Sequence, residues 1–208
     1  MSSHERFTVL LIAAGIALAA LSFGFPWFRL DFVGYTDMLE SGSYKGGYDC
    51  YPEYFVFVDK GDHSTPGTSP WHGGIDHYED LMDVEMGIGC VAILLSVSFM
   101  WAVLVGRRRP SLVLGSLAVG AALIAVAFFA FEAGESISIY TPDSPYPDIP
   151  KGFVGSETDI DGTDWSWGPS TGWAVLVLSA AMSVIALINQ AILGRENPPW
   201  EQPGVKGQ

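Results

Sequence analysis

The chain has 208 residues, of which 49% are hydrophobic, and its 23 acidic residues outnumber its 10 basic residues, which gives a formal net charge of −13. A protein with so much negative charge repels nucleic acid and anionic surfaces, so neither is an expected partner. The charged residues are not spread evenly along the chain, and the apolar residues are concentrated in long runs.

Four apolar stretches of 20 or 21 residues contain no Asp, Glu, Lys, Arg or His. At about 1.5 Å per residue, each stretch as a helix matches a hydrocarbon core of about 30 Å. They therefore predict four transmembrane helices, at Phe7–Trp27, Met86–Val105, Ser111–Phe131 and Trp173–Leu193. The first stretch continues past the small-residue motif Ala17-Leu18-Ala19, so we interpret it as an uncleaved anchor rather than a signal peptide.

The turn between the second and third stretches, residues 106–110, contains the triplet Arg107–Arg109. Basic residues in short loops are retained on the cytoplasmic side of a membrane. The triplet therefore predicts a multi-pass protein of the plasma membrane with this turn and both termini in the cytoplasm. Two outer loops follow, at residues 28–85 and 132–172, together with a short cytoplasmic tail at 194–208. The inside segments carry six basic and three acidic residues, whereas the outer loops carry 20 acidic and four basic residues. The acidity of the protein is therefore predicted to lie outside the membrane, where it would attract divalent cations or a basic protein surface. Adaptation to a saline or acidic habitat is the alternative interpretation.

The outer loops are too long and too aromatic to serve as simple connections. Alternating patterns predict strands at Arg29–Tyr35, Tyr54–Asp59 and Ser136–Thr141. The predicted fold is an all-α bundle of four transmembrane helices with a small extracytoplasmic antiparallel β-sheet built from both outer loops. The loop and helix-end tryptophans are expected under this sheet or, for Trp27, Trp71 and Trp173, at the membrane–water interface.

This layout resembles the claudin and peripheral-myelin type of tetraspan membrane protein, which has a long stranded first outer loop, a tight inner turn and a shorter second outer loop. The family marks its first loop with a Trp, a Gly-Leu-Trp motif and two paired cysteines. Here Trp27 matches the first Trp, Gly-Leu-Trp is absent, and Cys50 is the loop's single cysteine. The second cysteine, Cys90, lies about one turn into the second predicted helix, so we expect two free thiols.

An acidic segment in the second outer loop is a candidate Ca²⁺ site. Its carboxylates surround Gly162 at positions 1, 3, 5 and 8 of a loop, at Glu157, Asp159, Asp161 and Asp164. Hard cations prefer such oxygen ligands, although the bidentate Glu of an EF-hand is replaced here by Gly168. A solvated acidic turn is the alternative interpretation.

Other chemistry has weaker support in the sequence. His72 and His77 could form a transition-metal site, but their spacing of five does not place both on one helix face. The strongly polar residues within the predicted spans are Asn189 and Gln190, which are expected to bond to a neighbouring helix or to headgroups. Small residues four apart, such as Ala13 and Ala17 or Ser179 and Ser183, predict close helix packing.

The leading hypothesis is a non-enzymatic integral membrane protein without a cofactor, which mediates association through an acidic outer domain. It would act as an accessory or structural subunit of a membrane complex, as a homo-oligomer, or in lateral or cell–cell contact. The alternative is a divalent-cation-dependent sensor or a transporter-associated binding subunit that uses the segment from Glu157 to Asp164.

Overall fold

The computed structural model describes residues 3–35, 43–52, 55–59, 67–69, 76–136, 152–158, 162 and 164–193. Helices and strands follow one another within these residues in the order α1 (Ser3–Ser22), β1 (Phe28–Tyr35), β2 (Ser43–Cys50), β3 (Phe55–Asp59), β4 (Gly67–Ser69), α2 (Asp76–Leu104), α3 (Arg108–Ser136), β5 (Gly155–Thr158), β6 (Asp164–Pro169) and α4 (Thr171–Leu193).

All four helices are long and apolar enough to cross a membrane. Helix α1 packs against α2 and α4, and α3 packs against the same two helices. The contact between α1 and α4 is close at Gly15, whose carbonyl accepts a hydrogen bond of 2.7 Å from Ser179 Oγ. A Cβ added at Gly15 would lie 3.4 Å from the Ser179 carbonyl oxygen, so a small residue is needed there.

The small residues of the helices differ in burial. Ser179 and Ser183 are both buried between the helices, as are Ala118 and Ala122. Ala13 and Ala17, in contrast, are exposed on α1. The predicted close packing is therefore present inside the bundle at some of the small-residue positions, and α1 has small residues on its outer face as well.

The first helix ends at Ser22, five residues before the predicted end at Trp27. Pro26 lacks an N–H and disfavours helical backbone in the residue before it, so the apolar run cannot continue as a helix to Trp27. The chain turns instead, with Gly24 N donating to Leu21 O at 3.0 Å. Hydropathy alone does not show this break, because the residues on both sides of it are apolar.

Helix α2 begins at Asp76, ten residues before the predicted start at Met86. The charged residues near its start predict an outer-loop position for this region. Leu81, Met82 and Glu85 are nevertheless buried at helical spacing. Helix α3 is likewise longer than predicted: it begins within the arginine triplet and has Pro110 in its first turn, where a missing N–H costs little.

The six strands form one antiparallel sheet in the order β4-β3-β2-β1-β6-β5. Strand β1 pairs with β2 on one side and with β6 on the other, which joins the two predicted outer loops in a single sheet. The predicted strands Arg29–Tyr35 and Tyr54–Asp59 correspond to β1 and β3. Of the third predicted strand, Ser136 is the last residue of α3, and residues 137–141 lie outside the described part of the chain.

Strand β2 is not among the strands that the sequence predicts, because glycines such as Gly46 and Gly47 are typical of loops. Both glycines are needed for close contact with β1. A Cβ at Gly46 would lie 2.6 Å from Phe32 Cζ, and one at Gly47 would lie 2.7 Å from the Leu30 carbonyl oxygen. The aromatic ring of β1 therefore lies over a strand that has no side chain at this point.

The sheet is attached to one end of the bundle through backbone hydrogen bonds around Trp27. Trp27 N donates to Cys50 O, Ser170 N donates to Trp27 O, and Gly172 N donates to Pro26 O, each at 2.8 Å. These bonds connect the end of α1, the sheet and the start of α4. The arginine triplet lies at the opposite end, where Arg107 is in the turn after α2 and the other two arginines begin α3. Gly106 in this turn has a positive φ of 70°.

Candidate association surface

The sheet has two chemically different faces because directly opposed residues in antiparallel strands project to the same side. Leu30 is opposite Tyr48 in β2 and Trp167 in β6. Asp31, the next residue, is opposite Gly47 and Ser166. One face is therefore aromatic and aliphatic, and the other is mainly polar.

The aromatic face packs on the end of the bundle, and we call this contact the sheet–bundle layer. Its fully or largely buried residues come from the sheet and its flanking turn and from α2, α3 and α4. They are Trp27, Phe28, Leu30, Cys50, Leu81, Met82, Ala125, Phe129, Ala133, Trp167 and Leu176. The layer is thus a hydrophobic core that joins the predicted outer domain to the helices.

Trp27 is at the centre of the sheet–bundle layer and has no exposed surface. Its Nε1 donates a hydrogen bond of 2.7 Å to Ser22 O. Its ring stacks on Phe23 at a centroid distance of 5.7 Å and meets the edge of Phe129 at 5.2 Å. Trp27 was expected at the membrane–water interface, but its ring is covered by protein, so it is a core residue.

The other tryptophans differ in burial. Trp173 is half-buried, and its Nε1 donates to Val126 O at 3.3 Å. Trp165 and Trp167 belong to β6, where Trp167 Nε1 donates to Gly152 O at 3.1 Å. Trp71 lies outside the described residues. The tryptophans of β6 are therefore structural residues of the sheet's aromatic face.

The polar face of the sheet carries most of the charged side chains that are described in the sheet. Arg29 Nε donates to Asp49 Oδ1 at 2.6 Å, and Nη2 donates to Asp49 Oδ2 at 3.1 Å. This hydrogen bonding raises the pKa of Arg29 above its ordinary value, against the effect of partial burial. Asp31 and Asp164 belong to the same face, and register also places Lys45 there, so its three acidic residues outnumber its two basic residues.

The ends of the predicted Ca²⁺ segment form a β-hairpin, with Gly162 in its turn at a φ of 79°. Thr158 is opposite Asp164, and its Oγ1 donates to Asp164 Oδ1 at 2.6 Å. Glu157 is opposite Trp165, so it projects to the aromatic face, whereas Asp164 projects to the polar face. Asp159 and Asp161 lie outside the described residues, and the calcium site stays a prediction.

Within the described ranges, no three His, Cys, Asp or Glu side chains come together in a way that could hold a metal ion. His63 and His72 lie outside these ranges, and His77 is in the first turn of α2. The sequence-based interpretation of His72 and His77 as a metal pair therefore gains no support from the part of the chain that is described.

Both cysteines are free thiols, as expected. Cys50 ends β2 and is 2% exposed within the sheet–bundle layer. Burial raises the pKa of the Cys50 thiol, because the thiolate loses its water, and the neighbouring charge of Asp49 adds to this effect. Cys90 is exposed on α2. The layer is therefore held by packing and hydrogen bonds without a disulfide.

Glu85 is the buried charged residue that sequence reasoning missed. It was counted among the acidic residues of the outer loop, but it lies on α2 with no exposed surface. Neither Oε1 nor Oε2 has a hydrogen-bond partner in the described part of the structure. The helical spacing of Glu85 from Leu81, Met82 and Gly89 was the available signal, because it places the carboxylate on the apolar face of the helix.

At the arginine end of the bundle, Asn189 and Gln190 make the predicted contacts with neighbouring helices. Asn189 Nδ2 donates to Thr8 Oγ1 at 2.6 Å, and Gln190 Nε2 donates to Ser111 Oγ at 3.1 Å. Gln190 Oε1 is buried without a hydrogen-bond partner among the described residues. These amides therefore tie α4 to α1 and α3.

The sequence matches no known protein-family model, and no curated protein is similar to it.

Proposed function

We propose that the chain is a multi-pass protein of the plasma membrane, with the arginine turn and both termini in the cytoplasm and the sheet outside. Large apolar side chains are exposed around the helices, including Leu94 at 64%, Trp101 at 68% and Phe131 at 81%. Contact with lipid would remove this surface from water. The position of Arg107–Arg109 at the end opposite the sheet supports the orientation.

A pair of cysteine variants tests this orientation. Ser156 is exposed on β5, and Arg108 is exposed at the start of α3. In a Cys90→Ser background, a membrane-impermeant thiol reagent applied to intact cells should label Ser156→Cys and should leave Arg108→Cys unlabelled until the cells are permeabilised. The reverse pattern would refute the proposed orientation.

Within that membrane, the protein is proposed to be a non-enzymatic accessory or structural subunit that associates with other membrane proteins through the polar face of its sheet. The observation that carries this proposal is the two-sided construction of the sheet. Its aromatic face is used in packing on the helices, which leaves the carboxylates of the polar face directed away from the bundle. A fixed acidic surface is suited to a partner with complementary basic residues.

The resemblance to claudin-type tetraspan proteins supports a contact role for the outer domain, on the basis of architecture. Four long apolar helices, a tight turn and a sheet from two unequal segments are all present. The absent Gly-Leu-Trp and cysteine pair mean that this chain holds its sheet by other means, namely the sheet–bundle layer and the bonds around Trp27. The proposal therefore includes lateral association and cell–cell contact as forms of the same activity.

A charge-reversal pair tests the proposed surface. Asp164 is exposed on the polar face of the sheet, whereas Asp80 is exposed on α2. The wild type, Asp164→Lys and Asp80→Lys would each be purified from the native membrane in mild detergent, and the mass of the assembly measured. We expect the wild type and Asp80→Lys to retain a partner or a second copy that Asp164→Lys loses. A strictly monomeric wild type, or equal behaviour of both variants, would count against the proposal.

A further inference from the structure

The side chain of Glu85 is buried where α2 meets the sheet–bundle layer. The residue has 0% exposure, and both of its carboxylate oxygens lack a hydrogen-bond partner among the described residues. Met82, one turn before it, has no exposed surface and belongs to the hydrophobic cluster of the layer. Buried carboxylates in proteins are normally paired or hydrogen-bonded, so this arrangement requires an explanation.

No basic residue compensates the carboxylate among the described residues around it. The outer halves of α1 and α4 contain no titratable residue, and Glu132 on α3 is exposed. In the sheet, register places the charged residues Arg29, Asp31, Lys45, Asp49 and Asp164 on the opposite, polar face. Register places the titratable residues Tyr44, Tyr48, Cys50, Asp59 and Glu157 on the aromatic face, and none of them is basic. The titratable residues nearest to Glu85 on α2 itself are the exposed Asp80 and Asp83. Among all of these, Glu85 lacks an opposite charge to stabilise its ionised form.

A cavity inside the bundle begins one helical turn from Glu85. Gly89, Ala92 and Ser96 continue the buried face of α2 and line the cavity together with small and hydroxyl-bearing residues of the other helices, among them Gly15, Ser179 and Ser183. Its volume is about 10 Å³, which is about the space that one water molecule needs. Hydroxyl groups in its wall are suited to hold water.

The cavity does not continue through the bundle as a polar path. A cluster of Ile12, Phe99, Val103 and Ala186 fills the bundle interior between the cavity and the buried Gln190. Water or an ion that reached Glu85 would therefore come from the sheet side. This one-sided arrangement fits a binding site better than a conduction path.

The geometry points to Glu85 as a proton-binding site whose occupancy controls the sheet–bundle layer. With the proton bound, the neutral carboxylic acid is compatible with its apolar surroundings. When the O–H bond breaks and the proton passes to solvent water, an unpaired carboxylate remains in the layer. Because burial of that charge is costly, ionisation favours opening of the layer so that water reaches the carboxylate. The sheet would thus be held firmly on the helices in acid and less firmly in alkali.

Cys50 provides a direct measure of this opening, since it is 2% exposed within the same layer. The experiment uses the full chain in a Cys90→Ser background, which leaves one thiol, because the sequence has two cysteines. The rate at which a small neutral maleimide modifies Cys50 is measured across the pH range for three proteins: the Cys90→Ser protein itself, the same protein with Glu85→Gln, and the same protein with Asp83→Asn. Asp83→Asn is the matched control, because Asp83 is on the exposed side of α2. Dividing each rate by that of Glu85→Gln removes the pH dependence of the thiol chemistry.

We expect this ratio of modification rates to be near one in acid and to rise by about tenfold or more between about pH 5 and about pH 9. The rise should be seen both in the Cys90→Ser protein that retains Glu85 and in its Asp83→Asn variant. A ratio that stays constant over this range would overturn the inference. A ratio that changes with Na⁺ concentration at fixed pH, but not with pH, would also overturn it and would identify a cation as the ligand.

A second measurement needs no substitution at Glu85. Hydrogen exchange of wild-type β1 and β2 is followed by mass spectrometry and corrected for the intrinsic pH dependence of exchange. Protection of these strands should fall by about tenfold or more as the pH rises over the same range, while protection of the inner half of α4 stays constant. Unchanged protection of β1 and β2 would refute the inference even if Glu85→Gln fails to fold.

Discussion

The two ends of the helix bundle are stabilised in different ways. At the sheet end, large rings such as Trp27, Phe28 and Phe129 are completely buried in a layer that joins strands to helices. Toward the arginine end, a smaller apolar cluster of Ile12, Phe99, Val103 and Ala186 packs between the helices, and Asn189 and Gln190 donate hydrogen bonds to hydroxyl groups of neighbouring helices. Packing of large rings is sensitive to shape, whereas single hydrogen bonds between helices contribute little each. Substitutions at the sheet end should therefore have the larger effects.

The largest effect is expected for Trp27→Ala. This change removes a fully buried ring that contacts Phe23 and Phe129, together with the hydrogen bond to Ser22 O. The free energy of unfolding in detergent micelles should fall by about 3–5 kcal/mol. Trp101→Ala is the matched control, because that ring is 68% exposed on α2. Equal losses for the two variants would mean that the sheet–bundle layer does not hold the structure together.

Glycine substitutions test the fit of the same layer. A Cβ at Gly172 would overlap the Trp27 ring and lie 2.9 Å from Phe25 O, whereas one at Gly87 on α2 would meet nothing within 4 Å. Gly172→Ala should lower the free energy of unfolding by about 1–3 kcal/mol, since the Trp27 ring must shift. Gly87→Ala should raise it by up to about 1 kcal/mol through helix propensity. Chemical denaturation of both variants gives the comparison, and a neutral Gly172→Ala would show that the ring has room to move.

The sequence predicted the helices better than the sheet, for physical reasons that differ between the two. The helices follow from length and hydropathy, which depend on the segment alone. Strand β2 contains Gly46 and Gly47, and its formation depends on Phe32 of another strand, so local propensity could not reveal it. Pro26 indicates a helix break, but the residues on both sides of it are apolar, so hydropathy does not show where α1 ends.

The sequence predicts the negative charge of the candidate surface but not which acidic residues share a face of the sheet. Counting charges places the acidic residues in the two outer loops, and register then decides which of them share a face. Glu157 and Asp164 were grouped by their spacing in sequence, yet the hairpin directs them to opposite faces. Glu85 was grouped with the loop carboxylates because of its charge, although its helical position buries it. Burial of a charged residue is a tertiary effect that charge counting cannot detect.

A smaller effect is expected at the arginine end. The hydrogen bond from Asn189 Nδ2 to Thr8 Oγ1 joins α4 to α1 at 2.6 Å. In a double-mutant cycle with Asn189→Ala and Thr8→Ala, the coupling free energy should be about 0.6 kcal/mol and not above about 1.7 kcal/mol. The cycle is measured by unfolding in the same micelles as the Trp27 variants. A coupling as large as the loss in Trp27→Ala would contradict the contrast between the two ends.

The smallest effect is expected on the polar face of the sheet, where Arg29 and Asp49 form a salt bridge of 2.6 Å with 46% and 14% of their side chains exposed. Solvent and salt screen such a pair, so the coupling free energy of Arg29→Ala and Asp49→Ala should be about 0–1 kcal/mol and should shrink in high salt. Asp49 raises the pKa of Arg29, which keeps the guanidinium charged up to strongly alkaline pH. The salt bridge therefore cannot cause a loss of stability between neutral and mildly alkaline pH. If the wild type loses stability between neutral and mildly alkaline pH and Arg29→Ala loses it equally, the loss must come from another group. The same loss of stability should be absent in Glu85→Gln.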